Sequence, residues 1–357
     1  MNKDLSFYQG KKVLVTGHTG FKGGWLCHWL ERLGANVVGF GLAPNTEPSL
    51  YETSGVENVA ESVFGDISDL NAVKEVASNS KPDVIFHLAA QPLVRLSYAD
   101  PVSTFETNVM GTVNILEAAR TLPNLKACLV ITSDKCYQNN EWDYSYREND
   151  PMGGFDPYSA SKGAAEIVVG SYRASFFKEP LRGLGSARAG NVIGGGDWAE
   201  NRIVPDAIRS LSKGQEVHVR NPLAIRPWQH VLDPLYGYLL LGERLAQEPE
   251  KFSSGWNFGP LRSDINVSRL VQMIVDGWGT GKWVQDEVKG PHEAHFLRLD
   301  STKAQNNLGW YPHLDIDLAV KMTVDWYKAY LDKRDMRQMT EDQIHQFMDI
   351  LRTGANK

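Results

Sequence analysis

Val13-Leu14-Val15-Thr16-Gly17-His18-Thr19-Gly20-Phe21-Lys22-Gly23-Gly24-Trp25 decides the fold. A β-branched and apolar run, Val13 to Thr16, ends on a glycine turn, and a helical pattern runs from Gly20 to Leu33, where Gly34 closes it. The glycines at 17, 20 and 23 have the spacing GxxGxxG. Glycine permits a tight turn and a close backbone approach, and the helix N-terminus behind it offers N–H groups and a positive dipole end to a pyrophosphate. Three glycines alone are weak grounds, since Gly-rich strand-to-helix turns are common. Here they follow the first strand and open the first helix, the context that a dinucleotide-binding turn requires.

Outward from that turn, strand and helix signals alternate. Strands are expected at Asn36–Phe40, Glu61–Phe64, Val84–Leu88 and Lys126–Ile131, with helices at about Asp69–Ser78 and Asp100–Leu122. Asp100 followed by Pro101 is a strong helix start, N-cap then N1. Strands apolar throughout and separated by helices imply a parallel sheet covered on both faces. The fold expected is therefore α/β, a Rossmann-like doubly wound parallel sheet in residues 1–190. Beyond residue 190 the pattern changes, and residues 191–357 read as a smaller, interleaved α/β substrate lobe. A helix near 231–247 is expected to return and pack on the first domain. The charged stretch after Asp332 predicts a peripheral helix around Thr340–Leu351.

Composition narrows the function. The 357 residues are 42% hydrophobic and 22% charged, ordinary for a soluble globular enzyme and wrong for a disordered chain. Lys and Arg number 37 against 43 Asp and Glu, a formal net charge of −6, which argues against a nucleic-acid or anionic-membrane binder. Cys27, Cys128 and Cys136 form neither a CxxC nor a metal-ligand spacing, so no metal site is expected, and the sparse odd count suits a reducing cytosol. Met1 to Lys12 is polar, without the apolar stretch of a signal peptide. No apolar run approaches the ~18–20 residues that span a bilayer. A cytoplasmic protein is expected.

Two further stretches carry chemistry. Tyr158-Ser159-Ala160-Ser161-Lys162 opens a helix with Tyr158 and Lys162 at i and i+4, on one face. A cation beside a phenol favours the phenolate, which can take a proton from a sugar hydroxyl while a nicotinamide accepts hydride. Upstream, the strand ending at Ile131 runs into Thr132-Ser133-Asp134-Lys135, a hydroxyl, an acid and an amine at the edge where parallel sheets place chemistry. One usual partner is missing. The second strand ends Gly39-Phe40-Gly41-Leu42, without the carboxylate that commonly holds the adenosine ribose. Asp66 stands in as either an adenine contact or an ordinary turn aspartate.

Taken together, these motifs resemble the extended short-chain dehydrogenase/reductases over nearly the whole chain, and within them the nucleotide-sugar 4,6-dehydratases. The stretches Ser133-Asp134-Lys135, Gly195-Gly196-Asp197-Trp198 and Arg226-Pro227-Trp228-Gln229-His230-Val231-Leu232-Asp233 narrow the likeness to the branch acting on CDP-glucose. The resemblance implies NAD as cofactor, a nucleotide-sugar substrate and a homodimer built on helices near 100–122 and 158–177. Ser133, Tyr158 and Lys162 would transfer hydride, and Asp134 would protonate the departing C6 hydroxyl. Lys135 replaces the glutamate that serves as C5 base in the dTDP-glucose relatives, so it is read as base or as a charge that steadies the 4-keto intermediate. NAD would lie along Thr16, Gly17, Thr19, Gly20, Phe21, Lys22 and Gly23. It would further touch Asp66, Ile67, Leu88, Ala89, Ala90, Thr107, Thr132, Tyr158 and Lys162. Asn108 would support the active-site backbone. Gln91, Arg188, Asn191, Arg202, Arg226 and Arg298 would hold the substrate, guanidinium forks suiting phosphate oxygens. A nucleotide-sugar 4-epimerase or a non-catalytic NAD-binding regulator are the competing readings. The first has no need of the Asp134–Lys135 pair, and the second predicts a damaged triad.

Overall fold

The computed structural model describes residues 5–178, 182–260, 264–286 and 297–354. Met1 to Asp4, at the start of the polar N-terminal stretch, lie outside them. The strands in chain order are β1 (Lys12–Thr16), β2 (Asn36–Gly41), β3 (Glu61–Phe64), β4 (Val84–His87), β5 (Ala127–Ile131), β6 (Gly183–Ala189), β7 (Val192–Ile193), β8 (Val217–Val219), β9 (Gln229–His230), β10 (Gly255–Phe258) and β11 (Trp283–Gln285). Seven form one sheet in the order β10-β6-β5-β4-β1-β2-β3, with every pairing parallel. The order reverses between β1 and β4. That switch point is where open α/β sheets bind ligands.

Alternation along the strands feeds two cores. Leu14, Ile85, Cys128, Val130 and Leu184 meet Val73, Ile115 and Val169 on one face. Val13, Val15, Phe86, Leu129, Ile131 and Ala187 meet Trp25, Leu235 and Leu239 on the other. The helix Leu232–Gln247 therefore returns onto the sheet as expected. The sheet also takes back β10, far beyond residue 190, so the lobe is more deeply interleaved than its sequence pattern suggests.

Two helices differ from expectation. The run from Asp100 is interrupted: Pro101–Phe105 and Gly111–Thr121 flank a π-helical turn, Glu106–Met110. The C-terminal helix spans Met336–Thr353 and is not peripheral. Thr340, Ile344, Phe347 and Leu351 recur at helical spacing and are buried, with Phe347 edge-on to Trp29 at 5.5 Å. Charge dominates its composition, but the apolar stripe decides its place.

One buried carboxylate stitches the lobe together. Asp233, at the start of the returning helix, accepts the backbone N–H of His313 at 2.7 Å and of Leu314 at 3.2 Å, and its carbonyl accepts Trp310 Nε1 at 3.0 Å. Burial pushes this carboxyl up to about 7. Removing the carboxylate leaves two interior N–H groups without acceptors. Asp233→Ala is expected to lower unfolding free energy by about 1–3 kcal/mol, read as a lower midpoint in urea denaturation. An unchanged midpoint would mean water takes over both donors.

Candidate active site

The glycine turn is built by close approach. Gly17 sits at φ +74°, and a Cβ there would meet Ala89 N at 2.7 Å. At Gly23 a Cβ would lie 2.1 Å from the Gly17 carbonyl oxygen, so no larger residue lets the helix Phe21–Arg32 seat on the turn. Gly20 is the N-cap and supplies no side-chain acceptor. The first-turn N–H groups and the dipole end are thus presented to an anion, which fits a dinucleotide pyrophosphate. Thr16 Oγ1 bonds His87 Nδ1 at 2.7 Å and accepts Ala89 N at 3.2 Å, fixing the β4 exit beside the turn. Thr19 Oγ1 donates to the Leu42 carbonyl at 2.9 Å, tying the turn to the end of β2.

The ribose side has a distinct construction. His18 is fully buried, its Nε2 3.1 Å from Ser62 Oγ, which also accepts the Tyr51 hydroxyl at 3.0 Å. Its ring fills the space over Gly39, and burial lowers its pKa to about 4. Gly41 remains open: a Cβ there would meet Gly17 N at 3.4 Å and His18 Nδ1 at 3.9 Å, ordinary contacts. Asp66 is exposed and accepts Ser68 N at 2.8 Å, a turn role that leaves its other oxygen free. Ile67 is buried beneath Gly111, its carbonyl held by Asn114 Nδ2 at 3.0 Å.

The catalytic side chains converge at the ends of β5 and of the helix Pro157–Phe176, which Asp156 caps by accepting Ser159 N. Ser133 Oγ donates to Asp134 Oδ1 at 2.9 Å. Lys162 Nζ donates to the Ile131 carbonyl at 3.5 Å, and Lys135 Nζ lies 6.0 Å from the Tyr158 ring centroid. Burial pushes Tyr158 up to about 12, with Ser133 pulling it back. Burial, and then Lys22, lower Lys162 to about 8, while Glu166 opposes. Lys22 is itself lowered to about 8 by burial and by Arg202. Burial raises the Asp134 carboxyl against the pull of Lys135, Ser133, Arg226 and Lys22, and its Oδ2 is buried without a partner. A buried acid with a free oxygen beside a phenol and two amines is equipped for proton donation and acceptance.

Several expected contacts take other work. Arg188 is buried under the sheet, and its guanidinium meets Glu166 at 2.8 and 3.0 Å, Tyr137 Oη at 2.6 Å and the Glu148 carbonyl at 3.2 Å. Thr132 Oγ1 donates to the same Glu166 at 2.5 Å. Gln91 closes its amide onto its own loop, donating to Leu93 O at 3.1 Å and Thr104 Oγ1 at 2.9 Å and accepting Leu93 N at 2.6 Å. In this structure these three side chains direct their polar groups to partners within the protein and brace the site. The π turn places Asn108 inward, where it bonds the Gln91 backbone at 2.8 and 3.1 Å and Ser161 Oγ at 2.8 Å, with Thr107 beside it half-buried. Leu88, Ala89 and Ala90 lead from β4 into that loop. Arg202 pairs with Asp197 at 2.8 Å and its charge lowers the Tyr158 pKa, and the charge of Arg226 lowers that of Asp134. Asn191 and Arg298 are placed by backbone bonds, to Gln229 N at 3.1 Å and Tyr146 N at 2.9 Å. Glu166 escaped the sequence reading, although its place four residues after Lys162 was the available signal.

Comparison with known proteins follows this geometry. Residues 14–323 match the family described as GDP-mannose 4,6 dehydratase. The chain belongs to that family. Among the curated relatives of this 4,6-dehydratase family member, CDP-glucose 4,6-dehydratase of Salmonella typhimurium is 49% identical over 97% of this chain and 98% of its own. A dTDP-glucose 4,6-dehydratase of Streptomyces antibioticus is 29% identical over 88% of this chain and 92% of its own. Among solved structures, dTDP-glucose 4,6-dehydratase from Bacillus anthracis in complex with NAD superposes with TM-score 0.74 at 21% identity, covering 90% of this chain and 98% of that one. UDP-glucose 4-epimerase from Thermotoga maritima with UDP-glucose gives 0.76 at 22%, covering 89% and 99%. The two superpositions speak to the fold.

The open Gly41 position generates a prediction. A carboxylate there reaches the place where ribose hydroxyls are held in related turns. Gly41→Asp is expected to tighten NAD+ retention by roughly 10–100-fold, the worth of one charge-assisted hydrogen bond of about 1.5–3 kcal/mol. Equilibrium dialysis measures it. Equal or weaker retention would show that the His18 cluster, and not the missing carboxylate, limits the adenosine end.

Proposed function

We propose that this chain dehydrates CDP-D-glucose to CDP-4-keto-6-deoxy-D-glucose with NAD as a catalytic cofactor, making it a hydro-lyase. Asp134, a buried acid hydrogen-bonded to Ser133 and placed beside Tyr158, carries the reading. The 49% identity over 97% of the chain supports it and supplies the nucleotide, which no pocket geometry does. A 4-epimerase would share Tyr158, Lys162 and Ser133 but leave Asp134 and Lys135 without work. Residues 1–190, with the returning helix near 231–247, would hold NAD, and 191–357 would mainly hold the nucleotide sugar.

In the proposed cycle Tyr158 takes the proton of the C4 hydroxyl. NAD+, held along the glycine turn, would supply the acceptor and later the donor for the hydride. The 4-ketone acidifies C5–H. Lys135 removes that proton, Asp134 protonates the C6 hydroxyl, and water leaves. Lys135 then gives a proton back to C5. Arg202 and Arg226, whose charges act on Tyr158 and Asp134, would steady the nucleotide-sugar end.

We further assign the chain to the cytoplasm and to bacterial deoxysugar synthesis for lipopolysaccharide O-antigen, with no nucleic-acid or membrane partner. No helix among the described residues is long and apolar enough to cross a membrane. A homodimer fits the exposed apolar faces. Val102, Phe105 and Met110 lie along residues 101–110, and Ile167 and Phe176 on the adjacent Pro157–Phe176 helix. Val109 and Val113, half-buried, continue the first face inward.

Tyr158→Phe is expected to cut turnover by roughly 10²–10⁴-fold, the usual worth of a placed acid–base group, while CDP-glucose still binds by calorimetry. Near-normal turnover would sink the assignment of the phenol. Lys135→Met keeps much of the stem and removes the amine. It is expected to oxidise C4 yet lose deuterium uptake at C5 in D2O, followed by NMR. Persistent uptake at a lower rate would make Lys135 a charge-steadying group, and normal uptake would move the C5 base elsewhere.

A further inference from the structure

Three neighbouring strands of the main sheet leave it at the same edge. β4, β5 and β6 run parallel, with β5 in the middle. Ser133, Asp134 and Lys135 follow β5. The chain after β4 leads into the helix Val94–Ala99, and the chain after β6 leads through β7 into the loop 197–201, just before the helix Ile203–Ser212. A contact between those two outer segments spans the exit of β5, where the reacting groups stand. Arg95 makes such a contact: its Nη1 donates to Asn201 Oδ1 at 3.2 Å, between residues 106 apart in sequence.

Each end of this bond is anchored in its own segment. On the β4 side, Ser97 Oγ donates to the Val94 carbonyl at 2.7 Å and accepts the backbone N–H of Tyr158 at 3.1 Å, so the turn that carries Arg95 is fastened to the start of the helix Pro157–Phe176. On the β6 side, Arg209 Nη1 donates to the Trp198 carbonyl at 2.9 Å, and Asp197 accepts Ala199 N at 3.2 Å and Arg202 Nη1 at 2.8 Å. The bond between the two segments is slight by comparison, a single hydrogen bond to a neutral amide with Asn201 exposed, and it opens at little cost. Asn201 holds the left-handed backbone, φ +63°, that presents its amide there. Arg95 has more to offer, because its Nε is buried without a partner. A buried donor left unpaired is costly, and an oxygen brought in by a ligand would satisfy it.

We propose that Arg95 and Asn201 form a clasp over the end of β5, which opens to admit the nucleotide sugar and recloses on it, with Arg95 Nε donating to one of its oxygens. The identity of the ligand rests on the dehydratase reading above, and the clasp rests on the bond and on the strand order. Arg95 retains the sugar over the reacting groups and takes no part in the proton or hydride transfers.

The rate at which CDP-glucose escapes tests the clasp. NAD-loaded full chain carrying Tyr158→Phe, so that the sugar is not consumed, is filled with radiolabelled CDP-glucose and chased with an excess of the unlabelled sugar, and retention is followed by rapid filtration. Arg95→Met removes the clasp and the ligand contact together and is expected to speed release roughly 10–50-fold. Asn201→Gly keeps the left-handed backbone, removes the clasp alone and is expected to speed release roughly 2–10-fold. Asn201→Asp turns the clasp into an ion pair and is expected to slow release roughly 2–5-fold. In the Arg95→Met chain the same Asn201→Asp change is expected to do nothing, since its partner is gone. Unchanged release in Arg95→Met, or an Asn201→Asp effect that persists without Arg95, would overturn the clasp. Circular dichroism checks folding. Should Arg95→Met not fold, the two changes at residue 201 decide, and shifts in the same direction overturn the clasp. A wild-type chain that holds CDP-glucose without converting it would sink the dehydratase reading alone, and one that does not hold it would sink both.

Discussion

The carboxylate of Glu166 holds the reacting parts in one frame. It accepts Thr132 Oγ1 from the end of β5, Ser186 Oγ from β6 and a two-pronged contact from Arg188, also on β6. Its own helix carries Tyr158 and Lys162. One buried group thus fixes the register of the helix Pro157–Phe176 against β5, which leads into Ser133 and Asp134, and against its neighbour β6. Burial opposes its ionisation, but the Arg188 charge and the hydrogen bonds of Arg188, Thr132 and Ser186 win and hold it below the usual carboxylate range. Such a pair adds little net stability over an apolar replacement, yet losing one member strands a charge in the interior at about 3–5 kcal/mol. Its worth here is position.

That frame explains the electrostatics above it. Lys162 and Lys22 are both lowered to about 8, first by burial and then by a neighbouring cation, Lys22 beside Lys162 and Arg202 beside Lys22. Glu166 pulls Lys162 back toward the ammonium form from beneath, and Asp134 and Asp197 do the same for Lys22. His87 is pushed down to about 3, so it stays neutral and serves as a bridge between Thr16 and Thr112. The site therefore keeps its titrating groups few: a phenol, an acid and amines, with the imidazole held out of the proton traffic.

The lobe beyond residue 190 is coupled to this centre through backbone as much as through side chains. β10 extends the main sheet beside β6, and Asn257 on it accepts the Tyr137 hydroxyl at 2.7 Å. Tyr137 also receives Arg188, which meets Glu166, so the lobe beyond residue 190 and the helix Pro157–Phe176 share one buried network. β7 and β9 pair beside the switch region, and Gly190 gives Pro227 and Asp134 room to approach. Movement of the lobe would be felt at Asp134 without any long-range device.

Much of this was legible along the chain. The glycine spacing at 17, 20 and 23 marked the strand–turn–helix start, because any Cβ at residue 23 would fall 2.1 Å from the Gly17 carbonyl oxygen. The apolar strand runs marked a parallel sheet, and Tyr158, Lys162, Ser133 and Asp134 stood out as candidates because they fall in two short stretches, which the fold brings to the end of β5. What escaped were pairings between distant segments. Arg188 looked like a phosphate clamp until a carboxylate on another element, 22 residues away in sequence, met it under the sheet. β10 carries a glycine and an asparagine among its four residues, so no apolar run marked it, and the C-terminal helix hid its apolar stripe within a charged composition. Local periodicity and backbone sterics are written into neighbouring residues, so sequence alone determined the turn, the sheet and the reacting groups. Which cation faces a ligand and which is consumed in the interior depends on desolvation and on partners brought in from elsewhere, and only the tertiary structure decided that.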